Sequence, residues 1–144
     1  MHTRRTFGWL ALALWLTPAW AFAQAADAVL SAPETLSRVQ EGKITLIDVR
    51  QPEEWRQTGV AKGALRISMQ QPQGPTGLVQ ELSKAVGGNK AAPIALICRT
   101  GNRSGAVQKL LHDAGFTQVY NVKEGMAGSA GGPGWLARGL PLQP

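Results

Sequence analysis

The run from Pro93 to Cys98 (PIALIC) carries no charged side chain and ends in the only cysteine of the chain. Arg99-Thr100-Gly101-Asn102-Arg103 follows at once. A short, wholly apolar segment bounded by polar turn residues reads as a strand buried on both faces. Such a strand needs parallel neighbours and helices covering both sides. Ile44 to Val49 (ITLIDV), β-branched and apolar but for Thr45 and Asp48, reads the same way. Ala64 to Ile67 and Gln118 to Val122 read as two further strands.

Helical segments lie between them. Ser31-Ala32-Pro33-Glu34 has the spacing of a capping box, and Gly42 closes the short helix that carries Leu36 and Val39. Gln51 to Gln57 is polar and suits one or two helical turns. Gln70 to Gly77 reads as a Pro/Gly-rich loop. Leu78 to Val86 then places Leu78, Leu82 and Val86 on one face. Ser104 to Ala114 places Val107, Leu110 and Leu111 inward, with Gly115 as its stop. Strands alternating with helices predict one α/β domain with a mostly parallel central sheet of about five strands, layered α/β/α.

The N-terminus has a different character. Arg4 and Arg5 precede an apolar run from Phe7 to Leu16, then Pro18 and small residues. This is the pattern of a signal peptide cleaved after Ala23 or Ala25, which leaves residues 26–144 as the domain. The run is too short to span a bilayer, so no stable membrane span is expected after cleavage. The leader fits a general secretory signal better than the twin-arginine signal that Arg4 and Arg5 resemble. A periplasmic or secreted location follows as an expectation. Cleavage removes Trp9, Trp15 and Trp20, so Trp55 and Trp135 remain to pack. It also lowers the formal charge of +6 by two. The remaining basic residues are scattered, without the stripe that nucleic-acid binding uses. One cysteine and one remaining histidine, His112, cannot make a typical metal site.

Chemistry is expected at Cys98. Ligands of open α/β sheets sit beyond the carboxyl ends of the strands. Gly101 allows positive φ, and Asn102 tolerates a left-handed backbone. Successive loop N–H groups then turn inward as an anion nest around the sulfur. The next helix aims its N-terminus there, and Arg99 and Arg103 add permanent charge. These effects favour thiolate, the reactive form. Asp48 and Arg50, at the end of an upstream strand, read as loop support. Asp48 would reach the loop through Arg103 or Ser104, or serve as a turn cap. Arg50 would line the entrance or, more simply, pair with Glu53 or Glu54. His112 reads as a surface residue.

The segment CRTGNRS, with IDVR some fifty residues upstream, resembles the single-domain rhodanese-like, thiosulfate-type sulfurtransferases. Glu53 to Leu65, Ala114 to Met126 and Trp135 to Leu142 extend the resemblance over most of the domain. It implies a rhodanese-like fold and no cofactor. It also implies that Cys98 takes a sulfane sulfur from a small donor anion and passes it to a thiol or cyanide acceptor. Arg99, Thr100, Gly101, Asn102 and Arg103 would form the cradle, with Arg99 facing the donor. A sulfur carrier serving one dedicated protein acceptor is the alternative implication.

Three departures leave donor and acceptor open. Gly59-Val60-Ala61 lacks the histidine common in the family. Glu124-Gly125-Met126 has one glycine where two are usual. Ser129 to Gly134 is long and glycine-rich. A phosphatase or arsenate reductase loop needs five residues between cysteine and arginine. Here position 104 is serine and Arg103 falls one residue short.

Overall fold

The computed structural model describes residues 27–144. The signal peptide inferred above lies outside them. Four strands form an all-parallel sheet: β1 (Thr45–Asp48), β3 (Leu65–Arg66), β4 (Ile94–Ile97) and β5 (Val119–Asn121), in the order β3-β1-β4-β5. A fifth partner is reduced to one bridge, Val29 beside Asn121. The expected count of about five strands is therefore four and a remnant.

β1 and β4 are the central pair, in register from Thr45 opposite Ile94 to Asp48 opposite Ile97. Their side chains alternate between two cores, because successive residues of a strand point to opposite faces. Leu46, Ala95 and Ile97 join Leu30, Val122, Met126 and Trp135 on one face. Helices α1 (Ala32–Gln40) and α2 (Pro52–Thr58) cover that side through Leu36, Val39 and Trp55. Ile47, Val49, Leu96 and Cys98 face the other way. There they meet α3 (Gly74–Ala85) through Leu78 and Leu82, and α4 (Asn102–Asp113) through Val107 and Leu111. The result is three layers, as expected.

Boundaries differ where tertiary contacts or special residues intervene. α3 begins at Gly74, inside the expected loop, because Pro75 occupies the first turn, where a missing N–H costs nothing. α4 begins at Asn102 rather than Ser104. Leu110 is only half-buried, while Ser104 and Gln108 are buried on the inner side of α4. Two short strands were not expected: β2 (Val60–Ala61) pairs antiparallel with β6 (Leu142–Gln143) from the C-terminal tail. α1 keeps two of its signals, with Ser31 Oγ accepting from Glu34 N–H at 3.3 Å and Gly42 at φ +69°, but the capping box is half formed, because the Glu34 carboxylate takes Arg38 at 2.6 Å.

Glu124 ties the C-terminal segment to α1. Its side chain is 1% exposed. It accepts from Ala32 N–H at 2.7 Å, Gly134 N–H at 2.8 Å and Arg138 Nε at 2.7 Å. Burial alone would raise its pKa, but Arg138 and the two backbone donors outweigh it and hold the carboxyl below the usual range.

Candidate active site

Cys98 stands at the carboxyl end of β4. Parity in the strand turns its side chain toward α3 and α4, where it is fully buried. The loop that follows is only Arg99 to Gly101. Gly101 adopts φ +89° as the cap of α4, as its sequence position suggests. Asn102 does not share that conformation: no described residue other than glycine has positive φ, and Asn102 opens the helix.

The loop is pinned by backbone. Cys98 O accepts from Met126 N–H and Arg99 O from Ala127 N–H, both at 2.9 Å. Gly101 and Gly125 let the two segments touch. A Cβ on Gly101 would meet the Lys123 carbonyl, and one on Gly125 would meet the Arg99 carbonyl. These are the positions where the close approach itself requires glycine.

Two donors reach the sulfur: Gly101 N–H at 3.1 Å and the Ser104 hydroxyl at 3.2 Å. The expected nest of successive amides is thus one amide and one hydroxyl. Ser104, at the third position of α4, is aimed at the sulfur by the helix itself. Its Oγ also lies 2.7 Å from Asn121 Oδ1, and Asn121 Nδ2 donates to Gly101 O at 3.0 Å.

Arg103 braces the loop, with a partner the sequence did not reveal. Its two terminal nitrogens donate to Glu54 of α2, each at 2.7 Å. Arg103 holds the Glu54 carboxyl down at about 2, against the opposing effect of burial, with help from Gln51 N–H at 3.0 Å. A depressed carboxylate contributes stability that is full above its unfolded pKa, near 4.5, and disappears as pH falls through about 2. Glu54→Gln is expected to lower stability at neutral pH by about 2 kcal/mol, discounted for partial exposure. It should also flatten the acid limb between those limits. Urea titrations at stepped pH check this, and Glu124 should leave some acid slope in the variant.

Asp48 and Arg50 do not support the loop as expected. Asp48 stands opposite Ile97, so it shares the face of Ile97 and points away from Cys98. Among the described residues it makes no hydrogen bond or ion pair with Arg103 or Ser104. Its carboxylate takes Arg50 instead: Nε at 3.0 and 2.9 Å, Nη2 at 2.7 Å and the Arg50 amide at 3.0 Å. Arg50 pairs with neither Glu53 nor Glu54. It reaches on to Thr58 Oγ1 at 3.0 Å and Gly59 O at 2.9 Å.

Arg50 does line a cavity, as the entrance reading has it, but Cys98 is not part of that lining. A cavity of about 430 Å³ is lined by Arg50, Glu54, Gln57, Thr58, Arg99, Met126, Ala127 and Leu136. With Arg50 and Glu54 engaged, Arg99 is the lining cation that has no acid partner among the described residues. Arg99, Thr100 and Asn102 are exposed. Trp135 is core, donating Nε1–H to Pro141 O at 2.9 Å, and Trp55 packs against the same core. His112 is half-buried and lines a different cavity, with Lys109 and Asp27. Glu54 and Asn121 were the residues sequence reasoning missed. For Glu54 the sequence carries a signal, an acid beside IDVR, but its partner is Arg103 and not Arg50.

Comparison with known proteins bears on the family and the fold. The solved polysulfide-sulfur transferase homodimer from Wolinella succinogenes is 31% identical, with a TM-score of 0.63 over 84% of this chain and 81% of that one. Rv0390 from M. tuberculosis is 26% identical, with a TM-score of 0.61 over 83% and 98%. Protein RC0915 of Rickettsia conorii is 28% identical over 100 residues, 68% of this chain and 81% of its own length. The family model of the rhodanese-like domain matches residues 31–130, and the chain belongs to that family.

Proposed function

We propose that this protein is an exported sulfurtransferase that carries sulfane sulfur as a Cys98 persulfide. The observation that carries the reading is the convergence of Gly101 N–H and the Ser104 hydroxyl on the sulfur of the sole cysteine, at a strand end. Both donors stabilise charge on that sulfur when it attacks and when it leaves. With thiosulfate, the Cys98 thiolate forms a bond to the sulfane sulfur while the S–S bond of the donor breaks and sulfite departs. An acceptor thiolate or cyanide then bonds the outer sulfur, and the electron pair of the broken bond returns to Cys98. Arg99 at the cavity offers its guanidinium to the anionic donor. Membership of the rhodanese-like family and the likeness to a polysulfide-sulfur transferase support this chemistry at the level of class.

Full burial of Cys98 favours a second reading, a persulfide carrier that discharges only to a dedicated protein. Intact-mass measurement after thiosulfate or polysulfide treatment tests the shared step. One added sulfur is expected, absent in Cys98→Ser, with loading from thiosulfate slowed about tenfold in Arg99→Ala. No added sulfur from any donor would end both readings. Thiosulfate:cyanide turnover separates them, since a carrier loads yet hardly turns over.

A further inference from the structure

We propose that Asn121 is a positioning residue that decides whether the Ser104 hydroxyl gives its proton to the Cys98 sulfur or to the Asn121 carboxamide. The reaction-step part rests on the sulfur-transfer reading. The hydrogen-bond part does not.

A hydroxyl has one proton to donate and two lone pairs to accept with. Ser104 Oγ nevertheless has two acceptors within reach, Asn121 Oδ1 at 2.7 Å and Cys98 Sγ at 3.2 Å. Asn121 is 7% exposed and cannot reverse its amide. Its Nδ2 donates to Gly101 O at 3.0 Å, and a flip would set two carbonyl oxygens face to face. Oδ1 therefore always presents an acceptor to Ser104.

With a neutral thiol, the chain runs one way. Cys98 S–H donates to Ser104 Oγ, Ser104 donates to Asn121 Oδ1, and Asn121 donates to Gly101 O. During discharge, the acceptor thiolate bonds the outer sulfur of the persulfide. The Cys98 Sγ–S bond breaks and its electron pair stays on Sγ. The anionic sulfur is then the stronger acceptor, so the hydroxyl swings to it and Oδ1 loses its donor. Asn121 thus sets how readily the departing thiolate is stabilised. It holds the hydroxyl away from a neutral sulfur and releases it to a charged one.

Asn121→Asp and Asn121→Ala separate this role from simple bracing. Both remove the bond to Gly101 O, which keeps its helical donor, Gly105 N–H at 3.1 Å. The aspartate holds the Ser104 proton more tightly, while alanine frees it for sulfur. Single-turnover discharge of the persulfide to a small thiol should slow about tenfold or more in Asn121→Asp and should quicken in Asn121→Ala. In a Ser104→Ala background the Asn121→Asp effect should largely vanish, whereas direct charge repulsion would persist. Because Cys98 is the sole cysteine, its infrared S–H stretch is unique to it. That band should move toward a free thiol in Asn121→Ala, with or without sulfur-transfer activity. An unmoved S–H band, or equal slowing in the two Asn121 variants, overturns the proposal.

Discussion

Gly101→Ala is expected to cost about 3 kcal/mol of stability and to reduce persulfide loading of Cys98 below detection. Two effects add. The residue sits at φ +89°, where a side chain clashes with its own backbone. A Cβ there would also lie 2.9 Å from the Lys123 carbonyl carbon and closer still to its oxygen. Backbone cannot swing aside as a flexible side chain can, so the loop must move. Moving it withdraws the Gly101 N–H from the sulfur and tilts the start of α4, which carries Ser104. Gly42→Ala is the control for conformation alone, since Gly42 has φ +69° and open space around it. It should cost only about 1 kcal/mol and leave loading intact. Denaturant titration and intact mass, run on both variants, check this. If Gly101→Ala proved no worse than Gly42→Ala, the tight junction between the Cys loop and the Lys123 segment would not constrain the site.

Arg50→Ala is expected to cost about 3 to 5 kcal/mol, the largest loss from a single charged residue here. The side chains of Arg50 and Asp48 are 2% and 0% exposed. Removing the guanidinium leaves a buried carboxylate without its counter-charge, and it takes one donor each from Thr58 Oγ1 and Gly59 O. The penalty arises from the uncompensated charge more than from the lost bonds. Asp48→Asn in the Arg50→Ala background should therefore recover about 1.5 kcal/mol or more. Surface pairs such as Arg56 with Glu53 should show almost no loss on the same substitution, since both partners are well exposed. A double variant no more stable than Arg50→Ala would mean that the buried charge is not the source of the cost.

These two residues also mark how far the sequence could be read. Gly101 was legible because its constraint is local: a glycine between an apolar strand and an amphipathic helix has one obvious use. Arg50 was half legible. Its place beside a cavity follows from the strand end, but its burial and its partner do not. Strand alternation puts Asp48 on the face away from Cys98, so the carboxylate expected at the Cys loop serves Arg50 instead. Glu54 then takes Arg103, 49 residues along the chain.

By itself the sequence determined the alternation of strands and helices, the caps of α1, the glycine before α4 and the identity of Cys98 as the one reactive candidate. Each depends on periodicity or on intrinsic backbone preference within a few residues. Only the tertiary structure decided that the sulfur takes its hydrogen bonds from Gly101 and Ser104, that Asn121 stands behind them, and that the C-terminal tail returns to pair with β2. Those outcomes depend on which strands lie side by side and in what register. Strand order and register are set by burial of the whole core on both faces of the sheet, and no short window of residues contains that information.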